Sequence, residues 1–234
     1  MDALTIPALK QLKQEEIHNS PAFPHLIRAV DLQTDRSYPG DGQDRDGQDG
    51  SVFNLRNLRG RLAELSSCRS SACLSLSCAL LLQAQKCSAP VIWLSITRDS
   101  FYPPDLAANG IDLSLLPVVW APDIRSAVRA ADQLLRTGAF GLLVIDLHRN
   151  PRLPTSLQAR LASLAHHHGC AVCFLTVKPE SSPSLGSMIS LFARVSRSRV
   201  SAGRFRLDVQ VVKDKRQAPV GGLMEHIDGP PGLC

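Results

Sequence analysis

The sequence predicts an α/β protein in which helices flank a mostly parallel central β-sheet, with a basic antiparallel hairpin near the C-terminus. Apolar runs of strand length alternate with helix-like patterns from Val52 onward, as expected for a parallel sheet. The composition is 44% hydrophobic but only 5% aromatic, and such an aliphatic-rich chain suits strands that are buried on both faces. From Arg204 to Val211 apolar residues alternate with polar or charged ones, which predicts a half-buried antiparallel strand that pairs with the strand before it.

The chain of 234 residues is long enough for one large core, and we expect four segments. Residues 1–32 are predicted to be an N-terminal arm, because apolar residues recur at helical spacing in Met1–Asn19. A partner-binding helix and a helix that packs on its own core fit that pattern equally well. Residues 33–51 are rich in Gly, Asp and Gln and are predicted to be a disordered linker. Residues 52–221 would form the core, and residues 222–234 a flexible, Gly/Pro-rich tail.

Each element of the core is predicted from its apolar pattern and from the residues at its boundaries. The predicted strands, in chain order, are Leu62–Leu65, Val91–Ile96, Leu116–Trp120, Phe140–Leu147 and Cys170–Val177. The predicted helices are Cys73–Gln85, Pro104–Asn109, a helix that begins after Asp123 and ends at Gly138, and Thr155–His167. Asp123 is a typical N-cap, and Gly138 is typical of the residue that follows a helix.

The turn after the first predicted strand lies where a phosphate-binding loop would be. We expect Ser66–Ser71 to form a tight loop of small residues that leads into the helix. A phosphate loop has the pattern G-x-x-x-x-G-K-[ST], because glycines let the backbone wrap the phosphates, lysine neutralises their charge and the hydroxyl binds Mg²⁺. The equivalent positions hold Ser67, Ala72, Cys73 and Leu74, with Ser70 and Ser71 between them. We therefore expect a degenerate nucleotide loop, no cofactor and no ATPase activity.

Asp146 is the one residue elsewhere that suggests nucleotide chemistry. It ends the predicted strand Phe140–Leu147, where a nucleotide-binding core places a carboxylate that holds Mg²⁺. Beside Leu74 instead of a threonine, it would supply only half of such a site. We favour a solvated aspartate at a strand end, or a capping group, over a functional one.

The predicted hairpin concentrates positive charge. Between Phe192 and Arg216, eight cationic residues meet only Asp208 and Asp214, and Ala202-Gly203 is predicted to be the turn. The cationic residues are Arg194, Arg197, Arg199, Arg204, Arg206, Lys213, Lys215 and Arg216. We expect the strand with Phe205, Leu207, Val209 and Val211 to be half-buried, with one charged face. A solvated outer face and a surface that binds phosphate or an acidic partner explain this run equally well.

Bulk properties indicate a reducing compartment and an acidic partner. The net charge of +5 favours DNA or an acidic protein surface. No apolar run reaches membrane-spanning length and the N-terminus lacks a secretory segment, so we predict a cytoplasmic protein. Most of the seven cysteines lie in apolar segments and are expected to be buried thiols. Cys170 and Cys173 should point to opposite faces of a strand, so we predict core positions and no metal site.

Four segments occur in the order expected of a RecA-like recombinase core. They are Gly60–Leu65 with the pair Ser70-Ser71, Tyr102–Leu116, Thr137–Leu147 and Val209–Gly221. The chain resembles this family roughly from Phe53 to Gly221. Within it, the sequence is most similar to the ImuA family, degenerate RecA-like proteins that accompany an error-prone polymerase cassette in bacterial damage-induced mutagenesis. RecA-like ATPases carry a water-polarising glutamate after the strand matched by Val91–Ile96, and the run Thr97–Ser100 has no equivalent.

The resemblance implies a non-catalytic accessory protein of SOS mutagenesis and translesion synthesis. Its partners would be the RecA recombinase, an ImuB-type polymerase-like protein and an error-prone replicative-type polymerase subunit. Recombinases carry longer DNA loops where this chain has His148–Pro154 and Lys178–Ser187, which disfavours strand exchange by this chain itself. The alternative is a basic DNA-binding module of DNA repair that does not contact the recombinase, and the missing phosphate loop disfavours an ATP-driven motor.

Overall fold

The computed structural model describes residues 53–68, 70–98, 100–149, 151–201, 204–216 and 223–228, so the predicted arm and linker lie outside the described residues. The helices are α1 Leu55–Leu58, α2 Ser70–Lys86, α3 Pro103–Ala108, α4 Ile124–Thr137 and α5 Thr155–His168, with a 3-10 helix at Leu113–Leu115. The strands are β1 Leu62–Ser67, β2 Val91–Ser95, β3 Val118–Trp120, β4 Leu142–Arg149, β5 Ala171–Val177, β6 Leu191–Ser201, β7 Arg204–Asp214 and β8 Leu223–Asp228. Within the described part of the chain, no helix has the length and apolar character needed to cross a membrane.

The eight strands form one sheet in the order β3-β2-β4-β5-β1-β6-β7-β8. Neighbours from β3 to β6 run parallel, whereas β6, β7 and β8 pair antiparallel. The predicted α/β class, with a mostly parallel sheet flanked by helices and an antiparallel hairpin near the C-terminus, is confirmed. Because β1 lies between β5 and β6 and runs parallel to both, its carboxyl end lies at the edge at which the parallel strands terminate.

Both faces of the parallel part of the sheet are buried. On one face, Leu65 and Trp93 pack in a cluster that includes the apolar residues of α2. On the other face, Phe174 packs in a cluster with the apolar residues of α4 and α5. Cys173 belongs to the first cluster and Cys170 to the second, so the prediction that these two thiols lie on opposite faces is confirmed. Burial raises the pKa of the Cys170 thiol to about 12, as expected for an unreactive core thiol.

The boundaries of α4 follow the sequence signals. The Asp123 carboxylate accepts a hydrogen bond from the backbone N–H of Ser126 at 2.7 Å, which satisfies a donor that the first turn leaves unpaired. Gly138 ends the helix in the left-handed region with φ of 64°. Both predicted boundaries are confirmed, and the helix between them directs an apolar stripe toward the sheet.

The connection between β1 and α2 is shorter than predicted. Ser66 and Ser67 were expected in a loop, but they lie in β1 and pair with the last residues of β5. The helix α2 begins at Ser70 rather than at Cys73, so only residues 68–69 separate the strand from the helix. The strand continues because β5 offers backbone partners along its whole length, and these outweigh the weak strand propensity of serine.

Part of the segment assigned to a tail is a strand. Leu223–Asp228 pairs with Arg204–Val209 of β7 and adds the eighth strand. Pro219 and the pair Gly221-Gly222 before the segment are typical of a turn, but Leu223–Asp228 has no strict apolar alternation that would predict a strand. It forms a strand here because β7 supplies backbone hydrogen-bond partners that the segment could not find alone.

Candidate functional site

The carboxyl ends of β4 and β5 and the first turns of α2 enclose a small cavity of about 10 Å³. This is the edge of a parallel sheet at which α/β proteins bind ligands. Cys73, Leu74, Ser100, Asp146, Leu175, Thr176 and Val177 line the cavity. The structure therefore brings together Asp146 and the two residues that occupy the lysine and hydroxyl positions of a phosphate loop.

Asp146 is buried, so the predicted solvated aspartate is wrong. Its exposed fraction is 4%, because the segment after β2 and the end of β4 cover it. The carboxylate accepts hydrogen bonds from the Ser100 hydroxyl and from the backbone N–H of His148, the latter at 3.0 Å. The Ser95 hydroxyl lies 3.5 Å from the same carboxylate. Burial nevertheless raises the pKa of Asp146.

The capping interpretation of Asp146 fits its contact with His148. His148 has φ of 55°, a left-handed conformation that is uncommon for a residue other than glycine. The strand pairing shifts register between Asp146 and Arg149, so His148 lies in an irregular part of β4. The Asp146 carboxylate holds the His148 N–H and thereby stabilises this bend.

The residues of the degenerate loop do not form a phosphate cradle. Ser67 lies in β1, while Ser70 and Ser71 begin α2. Ala72 and Cys73 are buried against the sheet, and burial raises the pKa of the Cys73 thiol to about 12. None of the seven residues that line the cavity is cationic, and a volume of about 10 Å³ is far too small for a phosphate group. A triphosphate would meet the carboxylate of Asp146 without a neutralising charge.

A buried ion pair between Glu64 and Lys178 was missed by the sequence analysis. Glu64 is in the middle of β1 and is fully buried, and Lys178 follows β5 with an exposed fraction of 4%. Lys178 Nζ contacts Glu64 Oε1, which also accepts a hydrogen bond from the Thr176 hydroxyl at 2.9 Å. The ammonium lies 5.4 Å from the centre of the Phe192 ring. The only sequence signal was the charged Glu64 inside an apolar strand.

The same ion pair holds the connection between β5 and β6 against the sheet. The backbone N–H of Leu185 donates to Glu64 Oε2 at 2.6 Å, and Lys178 Nζ donates to the carbonyl of Pro183 at 2.8 Å. From the other side, Gln158 of α5 donates to the carbonyl of Leu185 at 2.9 Å. Buried side chains therefore fix the connection between β5 and β6.

Four of the eight predicted basic residues donate to backbone carbonyls. Arg194 donates to Ser182 O at 3.3 Å, Lys213 to Gly186 O at 3.4 Å, Lys215 to Ser187 O at 2.5 Å and Arg216 to Arg59 O at 3.4 Å. Three of these carbonyls belong to the connection between β5 and β6. Three of these cations therefore help to fix the connection.

Asp214 was counted as a counter-charge to the basic run, but it has a buried partner elsewhere. The Arg61 guanidinium contacts the Asp214 carboxylate, and the exposed fractions of the two side chains are 3% and 2%. Arg61 also donates to the Ser190 hydroxyl at 2.9 Å. The pair joins the start of β1 to the end of β7, so it stabilises the attachment of the hairpin to the parallel sheet.

Charge lies on both faces of the hairpin, although β7 taken alone has the predicted half-buried pattern, in which the buried Leu207 and Val209 alternate with the more exposed Arg206 and Asp208. Arg197 lies opposite Leu207, and opposite residues of an antiparallel pair project to the same face. Leu207 packs in the cluster on the α2 side. Arg206 precedes Leu207 in β7 and therefore projects to the other face, where it forms an ion pair with Asp208 at 3.3 Å. Arg199 lies on the face of Arg197, and Arg204 begins β7.

Comparison with known proteins finds no family model that matches the chain and no matching curated protein. The function is therefore inferred from the contacts described above and from the sequence motifs that resemble a RecA-like core.

Proposed function

We propose that this protein is a non-catalytic, RecA-like accessory factor of SOS mutagenesis. It binds the RecA recombinase, limits filament growth and strand exchange, and supports an error-prone polymerase complex. An ImuB-type polymerase-like protein and an error-prone replicative-type polymerase subunit are the further partners. The sequence motifs support the choice of pathway and of partners, and the geometry around Asp146 supports the absence of ATP chemistry.

The observation that carries the proposal is the cavity shared by Cys73, Leu74 and Asp146. It lies between the first turns of a helix and the carboxyl edge of a parallel sheet, where nucleotide-binding α/β proteins hold phosphates. Where a phosphate loop has its lysine and its Ser/Thr hydroxyl, this chain has the buried thiol of Cys73 and the apolar side chain of Leu74. A core that keeps this architecture without a nucleotide site would dock on relatives without turning over ATP.

Limited filament growth follows from the geometry of head-to-tail assembly. A recombinase filament extends through heterologous contacts, so each subunit needs two competent surfaces. A subunit with one docking surface and no nucleotide interface joins an end and stops extension. Damaged single strands would then stay available to error-prone synthesis.

A DNA-binding module is the second candidate function, and the exposed residues Arg197 and Arg199 favour it. Pull-down with purified RecA, together with a DNA titration at several salt concentrations, separates the two functions. The proposed function predicts retention of RecA at salt concentrations that abolish DNA binding. DNA binding that weakens steeply with salt, without retention of RecA, would favour the module.

A further inference from the structure

The helices α4 and α5 carry positive charge with little acidic compensation. Both pack on the same face of the sheet, because their apolar residues belong to one cluster. Asp132 is the one acidic residue in the two helices, and Asp123 precedes α4 as its cap. The cationic residues of the two helices are four arginines, Arg125, Arg129, Arg136 and Arg160. A surface that serves solubility alone normally mixes charges of both signs, so this excess indicates an anionic partner.

The three arginines of α4 form one stripe along the helix. Arg125, Arg129 and Arg136 are spaced by four and seven residues, and an α-helix brings such positions to the same side. The buried residues of α4 lie on the opposite side, so the stripe faces away from the sheet. The helical rise separates Arg125 from Arg129 by about 6 Å and Arg129 from Arg136 by about 10 Å. Positive charge therefore extends along the helix, as binding of a linear polyanion requires.

Asp132 holds an arginine of α5 beside this stripe. Its carboxylate accepts hydrogen bonds from Arg160 Nε at 2.5 Å and Arg160 Nη2 at 2.8 Å, and from Arg136 Nε at 3.0 Å. One carboxylate balances only one of these two guanidinium groups, so positive charge remains. The Arg160 side chain is still 54% exposed. A guanidinium that is already held in place loses less conformational freedom when it contacts a phosphate.

From this charge pattern we infer that the outer face of α4 and α5 binds the phosphate backbone of double-stranded DNA. Guanidinium groups donate paired hydrogen bonds to phosphate oxygens. Ser156 and Ser163, which are exposed at helical spacing from Arg160, add hydroxyl donors on α5. Neither helix contains Phe, Tyr or Trp, on which single-stranded bases stack. The binding is therefore to the duplex backbone and does not depend on base sequence.

The composition of this face disfavours a protein or membrane partner. Protein interfaces have a core rich in aromatic and apolar residues, and membrane-binding helices insert an apolar face. The large hydrophobic side chains that are exposed in the described part of the chain are Tyr102, Leu115 and Val212, and all three lie outside α4 and α5. The apolar stripes of both helices are buried against the sheet. The inference is independent of the proposed role with the recombinase, so its failure would leave that role untouched.

The test measures binding of a fluorescently labelled DNA duplex of mixed sequence to the full-length protein at several salt concentrations. The double variant Arg125→Gln/Arg129→Gln should bind about tenfold more weakly at low salt, and the slope of log K against log salt should fall by about two, since two phosphate contacts are lost. The variant Arg125→Lys/Arg129→Lys keeps the charge and should keep most of the affinity. Both positions are exposed, and Gln and Lys are good helix formers, so both variants should fold.

The matched control is the double variant Arg56→Gln/Lys86→Gln. It removes the same charge from exposed positions of α1 and α2, which pack on the other face of the sheet, and it should leave the salt slope unchanged. Equal weakening by the two glutamine variants, or unchanged binding by Arg125→Gln/Arg129→Gln, would overturn the inference, as would absence of duplex binding by the wild type. Tighter binding of oligo(dT) than of the duplex would contradict a duplex surface. Displacement of the duplex by polyglutamate more readily than by unlabelled DNA would identify a surface for an acidic protein instead.

Discussion

Glu64 and Lys178 form a buried ion pair between the central strand β1 and the connection that follows β5. Lys178 lies 114 positions after Glu64 in the sequence. The Thr176 hydroxyl, which donates to Glu64 Oε1, lies 112 positions after it. One carboxylate thereby holds a strand, a lysine and the backbone N–H of Leu185 in one arrangement. The connection between β5 and β6 is consequently fixed against the sheet.

Removal of one partner should therefore destabilise the fold. Lys178→Met leaves the Glu64 carboxylate buried without its cation and is expected to lower the free energy of unfolding by about 3–5 kcal/mol. The double variant Glu64→Gln/Lys178→Met should recover most of this loss, because neither charge remains. Urea denaturation measures both values. As a matched control, Arg136→Met removes an exposed i,i+4 pair with Asp132 and should cost less than about 1 kcal/mol.

The buried Asp146 should make stability depend on pH in an unusual direction. Because burial raises its pKa above the ordinary value of 3.8, the folded carboxyl binds its proton more tightly than the unfolded one. Its contribution to stability is therefore full below the ordinary pKa and is lost as pH rises through the raised pKa. Asp146→Asn should be more stable than the wild type at pH 7, and the difference should shrink as pH falls toward 3.8. A variant that is less stable at pH 7 would show that the carboxylate itself is needed, for example to hold the His148 bend.

ATP should neither bind nor be hydrolysed. The positions that contact phosphate and Mg²⁺ in a phosphate loop hold the buried Cys73 and the partly buried Leu74. The triple variant Ala72→Gly/Cys73→Lys/Leu74→Thr should remain inactive, since residues 68–69 are too few to wrap a phosphate chain and no glutamate follows β2 in the run Thr97–Ser100. Calorimetry with Mg²⁺ and ATP checks this, and micromolar binding by the wild type would contradict it.

Charge reversal in the outer half of the hairpin should weaken binding without unfolding the protein. Arg197→Glu/Arg199→Glu changes exposed side chains, so the thermal midpoint should hardly move, while association with DNA or with an acidic partner weakens at low salt. Adding Arg204→Glu and Arg206→Glu should weaken association further. Unchanged binding of the fourfold variant at low salt would show that the charge serves solubility alone.

The pattern of the sequence predicted those parts of the fold that depend on local signals. Apolar runs predicted the strands β1 to β5, and Asp123 and Gly138 predicted the ends of α4. These signals are local, because a helix cap or a buried strand depends on residues that are close in sequence. The hairpin β6–β7 was predicted for the same reason. The extension of β1 and the strand β8 were not, because each depends on a partner strand elsewhere in the chain.

The candidate site was predicted less completely than the fold. Sequence position placed Cys73, Leu74 and Asp146 at the same edge, and the structure brings them to one cavity. The burial of Asp146 depends on Ser100, which lies 46 positions away, and no local pattern reports such a contact. In the same way, Arg194, Lys213 and Lys215 have a structural role because they donate to backbone carbonyls within residues 182–187. A count of charges along the sequence cannot separate these residues from the exposed arginines.

Strand exchange by purified RecA, measured with this protein added at substoichiometric concentration, tests the central proposal most directly. The account predicts that exchange slows well below one protein per recombinase, because one terminal subunit blocks extension of a whole filament. A variant that lacks residues 1–19 is measured in a parallel assay. Loss of inhibition in that variant would assign docking to the N-terminal arm. Equal inhibition by both proteins places docking elsewhere on the chain. Exchange at the full rate with the intact protein would contradict the proposed function.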